Sequence, residues 1–479
     1  MRELNKFYID GAWVDPSGSD RADVINPANE SVAGHVALGN QADVDKAVAA
    51  ARRAFESYSR TSREERIALL EAIAEEYKKR MGDIGAAITE EMGAPAWLAN
   101  TGQAGSGLGH IMSALNALKE YQFEHPHGTT LVVKEPIGVV GMITPWNWPM
   151  NQVVCKVAPA LAVGCTVVLK PSEVAPFSAQ IFAEVIHAAG VPKGVFNLVH
   201  GDGPTVGAAI SSHPGVDMVS ITGSTRAGIE VAKNAAPTVK RVVQELGGKS
   251  PNVLLDGINF EEAVTGGIKG MMLNCGQSCA APSRMLVPAS RLDEVKAIAK
   301  RVGEELTVGD PNGNFTVGPV VSEAQFNKIQ GLLQSGVDEG ATALVGGPGR
   351  PEGLEKGYYV KPTIFADVTN DMRIAREEIF GPVLCILSFK DEEDAIRIAN
   401  DTDYGLAGMV SAPTLEEAKA VASRIRAGYV NLNGAPMDFG SPFGGYKQSG
   451  NGREWGGHWG FDDYLEIKSL VGALPAAAE

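Results

Sequence analysis

The chain has 479 residues, 44% hydrophobic and 21% charged, with 42 Lys plus Arg against 57 Asp plus Glu and a formal charge of -15. That length predicts two or three domains rather than one core, and the acidic balance argues against a nucleic-acid binder and against docking on anionic lipid. Five cysteines in so long a chain do not make a disulfide scaffold, and their odd number leaves a free thiol, so a reducing, cytoplasmic setting is expected.

The N-terminal MRELNKFYIDGAWVD mixes both charges around no apolar core and is read as neither a secretory signal nor a transit peptide. Residues 41 to 92 then carry apolar positions at helical spacing, and a third helix is expected over 108–123. From 129 onward short β-rich runs appear: TTLVVKEPIG, GVVGMIT (138–144), TVVLK (166–170), VFNLVH (195–200), MVSIT (218–222) and RVVQEL (241–246). Helix-like segments such as 178–189 and 203–212 separate them, and that alternation implies a parallel sheet with helices on its faces. The most apolar window, 153–170, contains Lys156, Pro159 and Gly164, and reads as a buried helix, a turn and a strand rather than a membrane span.

A second α/β region follows a break near Gly247 and Gly248, with strands expected at 251–255, 284–288, 341–346, 383–389, 408–412 and 429–433. The segments 119–136 and 462–474 read as strands without a nearby partner in sequence, of the kind that complete an interface.

Several turns at strand ends could carry chemistry. GDGPTVG (201–207) and GSTRAG (223–228) follow strands, but neither matches the G-x-G-x-x-G fingerprint. Each alone is a plain turn; together, in consecutive βα units, they favour a nucleotide site. In KPSE, Lys170 and Glu173 suit ribose hydroxyls, while the structural alternative is a helix starting at Pro171 and Ser172 with Glu173 offsetting its dipole. Asn147 in ITPWNWPMN either donates to a developing oxyanion or bonds its own turn. Glu245 in QELGGKSP is either a general base or an ordinary strand-end carboxylate.

Two cysteines lie close together in LNCGQSCAAPSR (273–284). The remaining Cys155, Cys165 and Cys385 are isolated, so no zinc ligand set is formed, and Cys275 and Cys279 are not a C-x-x-C pair. One nucleophile or two structural thiols remain, and a helix starting after Cys279 would lower its pKa.

The order of these pieces is more specific than any one of them. TPWNWP, KPSE, GSTRAG, ELGGKSP, GQSC, EEIFGPV and SPFGGYKQSGNGRE occur in that series at domain-scale spacing. The chain resembles the NAD(P)-dependent aldehyde dehydrogenase superfamily from about residue 5 to its end, and Glu245 marks the hydrolytic rather than the CoA-acylating type. The resemblance implies two Rossmann-like α/β domains and a small β oligomerisation part: a coenzyme domain of 1–116 and 137–247, a catalytic domain of 248–448, and an oligomerisation part of 117–136 and 449–479. It implies a homotetramer or dimer.

Carried over by position, Cys279 resembles the nucleophile, Asn147 the oxyanion donor together with the Cys279 backbone N–H, and Glu245 the general base; Lys156 and Glu454 match a proton relay behind that base. The implied coenzyme contacts are Thr144, Trp146, Lys170, Ser172, Glu173, Gly203, Gly223, Ser224, Gly228, Leu246, Glu378 and Phe380. Trp148, Met437 and Phe443 fall where members line the aldehyde tunnel, and Cys155 stands where many place a bulky aromatic, which widens that tunnel. The implied reaction takes an aldehyde to a carboxylic acid through a cysteine thiohemiacetal and thioester. NAD is the expected coenzyme, because Glu173 repels a 2′-phosphate; Lys170 beside it leaves NADP as a second one. No metal is expected. The tunnel suits an aromatic or medium-chain aldehyde, with an ω-semialdehyde as the alternative, and a non-catalytic binding member of the family is the alternative in kind. Arg284, five residues past Cys279, fits the usual family pattern too closely to be read as a carboxylate anchor.

Overall fold

The computed structural model describes residues 1–475. Its largest sheet has eight strands, in the order Gly450–Asn451, Arg241–Glu245, Met218–Thr222, Val139–Ile143, Thr166–Lys170, Phe196–Leu198, Phe7–Ile9 and Ala12–Val14. The five central strands are parallel, and antiparallel pairs close both edges. Val139–Ile143, Thr166–Lys170 and Met218–Thr222 are buried at every position, because helices cover both faces. Helices Arg63–Met92, Ala104–Glu120, Pro149–Val163 and Phe177–Ala188 build the larger core on one face. Gln41–Tyr58 and Thr225–Ala235 cover the other.

The chain runs from Val139–Ile143 outward through Thr166–Lys170 to Phe196–Leu198, then returns to add Met218–Thr222 and Arg241–Glu245 on the opposite side. The order therefore reverses between Val139–Ile143 and Met218–Thr222, and a crevice opens beyond their carboxyl ends.

A second sheet of seven strands follows: Thr342–Val345, Thr363–Ala366, Val383–Phe389, Arg284–Pro288, Pro251–Leu254, Ala407–Ser411 and Tyr429–Leu432. All neighbours are parallel except the first pair. The chain leaves the first sheet at Glu245 and enters the second at Pro251. The Gly450–Asn451 strand then returns to the first sheet.

Other details depart from expectation. Strands Arg2–Leu4, Arg21–Asn26 and Ser31–Ala37 form a separate sheet that no reading of the N-terminal residues foresaw. Glu124–His127 and Thr130–Pro136 pair with each other as a hairpin, so that segment does have a neighbour in sequence, and Leu465–Leu470 adds along its other side. The third helix runs over Ala104–Glu120 and is preceded by a π-turn at Ala99–Gln103. Among the described residues no helix is long and apolar enough to cross a membrane.

Candidate active site

The Val139–Ile143 strand turns through Thr144–Trp148 into the Pro149–Val163 helix, whose first turn accepts Pro149 because its missing N–H would be unpaired there anyway. Two side chains of this turn reach the cysteine segment. Buried Asn147 donates Nδ2–H to the Gln277 carbonyl at 3.0 Å, and Trp148 donates Nε1–H to Ser278 Oγ at 2.8 Å. The two residues before Cys279 are thus held by two successive side chains of the first α/β region.

The cysteine segment begins where helix Phe260–Met272 ends. Asn274, Cys275 and Gly276 are all left-handed, with φ of 53°, 58° and 69°. Gly276 is required there twice over, by its φ and because a Cβ would collide with the Gly381 carbonyl. Cys275 is buried, while Cys279 keeps partial access to solvent. No helix starts after Cys279; the chain makes a turn and then extends into the Arg284–Pro288 strand. The expected helix-dipole lowering of its pKa is therefore missing. Burial instead pushes the thiol up to about 12, with the Glu378 and Glu245 carboxylates adding, and the backbone N–H groups of Ala280 and Cys279 only partly opposing.

Glu245 ends the Arg241–Glu245 strand, 2% exposed, and neither carboxyl oxygen has a hydrogen-bond partner among the described residues. Burial, and next the Glu454 charge, hold its pKa well above the carboxylate range. Gly444 leaves the carboxyl its room, since a Cβ there would come within 2.9 Å of Oε1. Behind it, buried Glu454 makes an ion pair with Lys156 and accepts from Ser220 Oγ at 3.3 Å and from Cys155 Sγ at 3.4 Å. Burial disfavours the Lys156 ammonium, but the Glu454 carboxylate outweighs this and raises its pKa. The Cys155 thiol is thus turned to Glu454.

The glycines of ELGGK bring a third segment in. Gly248 N–H donates to Glu378 Oε1 at 2.8 Å, Gly247 lies flat against the same carboxyl, and a Cβ on Gly248 would strike the Cys279 carbonyl. Phe380, at φ 60°, meets Trp146 edge-on at 5.4 Å. The four separate motifs that carry Cys279, Asn147, Glu245 and Glu378 are therefore joined to one another by contacts of Gln277, Ser278, Gly248, Trp146 and Phe380.

At the crevice where the strand order reverses, Thr144 and Thr222 both carry buried hydroxyls with no hydrogen-bond partner among the described residues. Beside Thr222, Gly223 N–H donates to the Glu245 carbonyl at 3.0 Å, and Ser224 caps helix Thr225–Ala235. Gly228 faces the Leu246 side chain. One strand over, Lys170 is buried and pairs with Glu173 at 3.0 Å, and Ser172 Oγ accepts from Val174 N–H. The helix after them starts only at Phe177, so the reading of KPSE as a helix N-terminus is corrected. Gly203 opens an exposed π-turn, Gly203–Gly207, capped by Asp202.

Phe443 stacks on Trp455 at 4.5 Å, and Trp455 continues to His110 at 5.2 Å and to Phe439 at 5.5 Å. Sequence reasoning missed His110, Phe439 and Trp455; the aromatic pair flanking SPFGG and GRE was the available signal. Met437, 56% exposed, stands outside this stack. Arg284 spends its donors on the Lys249, Ile398 and Ala399 carbonyls and on Asn370, in line with its exclusion as an anchor. Lys249, also missed, is buried with no partner for Nζ among the described residues, and burial lowers its pKa to about 8.

The family model for the aldehyde dehydrogenase family matches residues 13–470. The chain belongs to the aldehyde dehydrogenase family. Among its relatives, a 3-succinoylsemialdehyde-pyridine dehydrogenase of a Pseudomonas species is 57% identical over 98% of this chain and 99% of its own. A cysteine-to-alanine mutant of aldehyde dehydrogenase C from Pseudomonas syringae, solved with NAD+ and octanal, is 51% identical with a TM-score of 0.98, over 99% of this chain and 98% of its own. Betaine aldehyde dehydrogenase from Staphylococcus aureus, solved with NAD+, is 37% identical with a TM-score of 0.94, over 98% of this chain and 95% of its own. This member of the family is an oxidoreductase acting on aldehydes, built on the two-domain α/β fold of its relatives.

Proposed function

We propose that this aldehyde dehydrogenase oxidises an aldehyde with an aromatic or medium-length apolar tail to the free carboxylic acid, using NAD+, with Cys279 as nucleophile and Glu245 as deacylation base. The observation that carries this reading is the buried, partnerless Glu245 carboxyl in a group of motifs joined by contact to the one partly accessible cysteine.

The residues present fit a dinucleotide. Two orphaned hydroxyls, Thr144 and Thr222, flank the crevice where the strand order reverses, and a Cβ on Gly223 there would only touch Ala227 and Ile221 at ordinary contact distance. Lys170 and Glu173 would take the adenosine ribose, Ser224 and Gly228 would lie near the pyrophosphate, and Glu378 with Phe380 would hold the nicotinamide end. The bound coenzyme supplies a hydride acceptor. Glu173 favours free ribose hydroxyls over a 2′-phosphate, and a higher kcat/KM with NADP would overturn that preference.

In the chemistry of the chain itself, Cys279 loses its proton and its sulfur bonds to the carbonyl carbon, giving a thiohemiacetal whose oxygen carries the charge. Asn147 spends one of its two N–H groups on Gln277, and the other, with the Cys279 backbone N–H, stabilises that oxygen as charge develops. Collapse expels hydride from the same carbon and leaves a thioester on Cys279. Glu245 then takes a proton from water, the hydroxide adds to the thioester, and the carbon–sulfur bond breaks to release acid. A carboxylate can do this near neutral pH because burial raises its basicity. The Lys156–Glu454 pair behind it returns the proton toward bulk water.

The aromatic stack of Phe443, Trp455, Phe439 and His110 supports an apolar tail, and buried Arg284 already gives four of its N–H groups to protein acceptors rather than to a carboxylate. A second reading, an aryl-bearing semialdehyde, is favoured by the named relative at 57% identity. A panel of aromatic, alkyl and keto-substituted aldehydes scored by NADH release separates them. We infer further that the chain works as a homo-oligomer, with segments 117–136 and 449–479 at the interface and with 1–116, 137–247 and 248–448 as coenzyme and catalytic domains. A reducing, cytoplasmic setting suits five cysteines that are all free.

The catalytic assignment is tested by burst kinetics. Glu245→Gln should release one equivalent of NADH and then stall, and full steady turnover would sink the assignment. Cys279→Ala should lose all oxidation while Cys275→Ala keeps most of it.

A further inference from the structure

Four carboxamides meet beneath the nucleophile segment: Gln103, Asn147, Asn274 and Gln277, all buried. Their contacts fix which end of each amide points where. Gln103 Nε2 faces three acceptors, Asn274 Oδ1 at 2.8 Å, the Asn147 carbonyl at 3.4 Å and Met92 Sδ at 3.4 Å, so its oxygen cannot stand there. Asn274 Nδ2 in turn donates to the Asn147 carbonyl at 2.8 Å and to the Gln277 carbonyl at 3.3 Å. Gln277 closes the set, with Nε2 donating to the Asn274 carbonyl at 3.3 Å and Oε1 accepting from Val321 N–H at 2.9 Å.

The backbone in this set is strained. Asn274 accepts a left-handed φ readily, but Cys275 does not, and two such non-glycine residues in succession need support from around them. Asn274 has its side chain locked on both sides, by Gln103 on its oxygen and by the Asn147 and Gln277 carbonyls on its nitrogen. Gln103 is itself the last residue of the π-turn Ala99–Gln103, an insertion that shifts the side-chain register of the following helix. Its Oε1 is left buried without a donor, a cost that a purely structural residue could avoid by being apolar.

We propose that Gln103 is a positioning residue of the reaction: through Asn274 and the Asn147 backbone it holds the left-handed 274–276 turn against the TPWNWP turn and so aims the second Asn147 N–H at the aldehyde oxygen. This rests on the reading of Asn147 as the oxyanion donor.

The test measures first-turnover NADH formation, which reports acylation and hydride loss without deacylation. Gln103→Leu should slow that step about 10-fold with the KM for NAD+ unchanged, since small misplacements of a reacting group cost rates of that order. Placed on Asn147→Ala, it should add no further loss, because it acts through Asn147. Gln103→Glu gives the second readout: its carboxylate would face three acceptors, and only its protonated form can donate to Asn274 Oδ1. Its rate relative to the unmodified enzyme should therefore climb as pH is lowered. If Gln103→Leu fails to fold, Gln103→Met carries the same comparison. Unchanged first turnover in Gln103→Leu beside a slow Asn147→Ala overturns the positioning role and leaves the oxyanion reading standing. Full additivity in the double variant, or a flat pH ratio for Gln103→Glu, also overturns it. A first turnover unaffected by Asn147→Ala refutes the oxyanion reading itself.

Discussion

Burial makes both Glu245 and Cys279 harder to ionise, and the Glu245 carboxylate adds to the rise at Cys279. With Glu245 as the proposed deacylation base, the acid limb of steady turnover should follow its ionisation. Burial raises its pKa first and the Glu454 charge second, whereas Lys156 lowers it. Glu454→Gln removes the repelling charge and also frees the Lys156 ammonium from its partner, and both changes favour ionised Glu245. The acid limb of kcat should therefore move to lower pH in Glu454→Gln, and an unmoved limb would show that another group sets it. The thiol behaves in the opposite sense on the alkaline side. With its pKa pushed up to about 12, only a small fraction of Cys279 is thiolate near neutrality, so alkylation by iodoacetamide in the absence of coenzyme should accelerate steadily through the alkaline range. A plateau near neutral pH would mean that a cation or dipole not seen in this geometry lowers it.

At the scale of elements, the site lies on loops at the carboxyl ends of parallel strands, and tight glycine turns let those loops close on one another. Gly248→Ala would drive a methyl group into the Cys279 carbonyl, so it should cut first-turnover rate about 100-fold while leaving the fold intact by circular dichroism. Glu91 acts on stability instead. Fully buried, it accepts from the Phe177 and Ser178 N–H groups and from Ser178 Oγ at the start of helix Phe177–Ala188, far along the chain from its own helix. Glu91→Ala strands those donors and should cost about 2 kcal/mol in urea unfolding. Much of this architecture is legible in the residues. TVVLK and MVSIT read as strands because apolar and β-branched residues dominate them, whereas KPSE and GSTRAG taken singly read as plain turns, and only the ordered series of motifs implies coenzyme contacts there. Thr363–Ala366 was not legible, since four residues after a proline leave no periodicity to read. The N-terminal strands of three residues fail for the same reason. Gln103 escaped because a polar residue in a helical pattern looks solvated, and only the π-turn carries it inward.

For the molecule as a whole, the feature left open is the three-stranded sheet of Glu124–His127, Thr130–Pro136 and Leu465–Leu470. The first of these strands is wholly exposed and the second half-buried, and the last runs along an edge with Ile467 69% exposed and Val471 just beyond it 82% exposed. A free edge strand presenting β-branched side chains invites pairing with another chain unless charge or proline guards it. Here Lys468 is spent on Glu135, and no proline interrupts 465–470. The residues proposed for the tunnel, the nucleophile and the coenzyme crevice all lie within one chain, so assembly through this edge would stabilise the fold without completing the proposed site. Ile467→Pro blocks the edge, both by removing an N–H and by deleting the exposed side chain. It should lower the mass measured by light scattering from oligomer to monomer, with first-turnover chemistry retained and thermal stability reduced. An unchanged mass would rule out assembly through this edge, and loss of first turnover in a stable monomer would mean that a partner shapes the site after all.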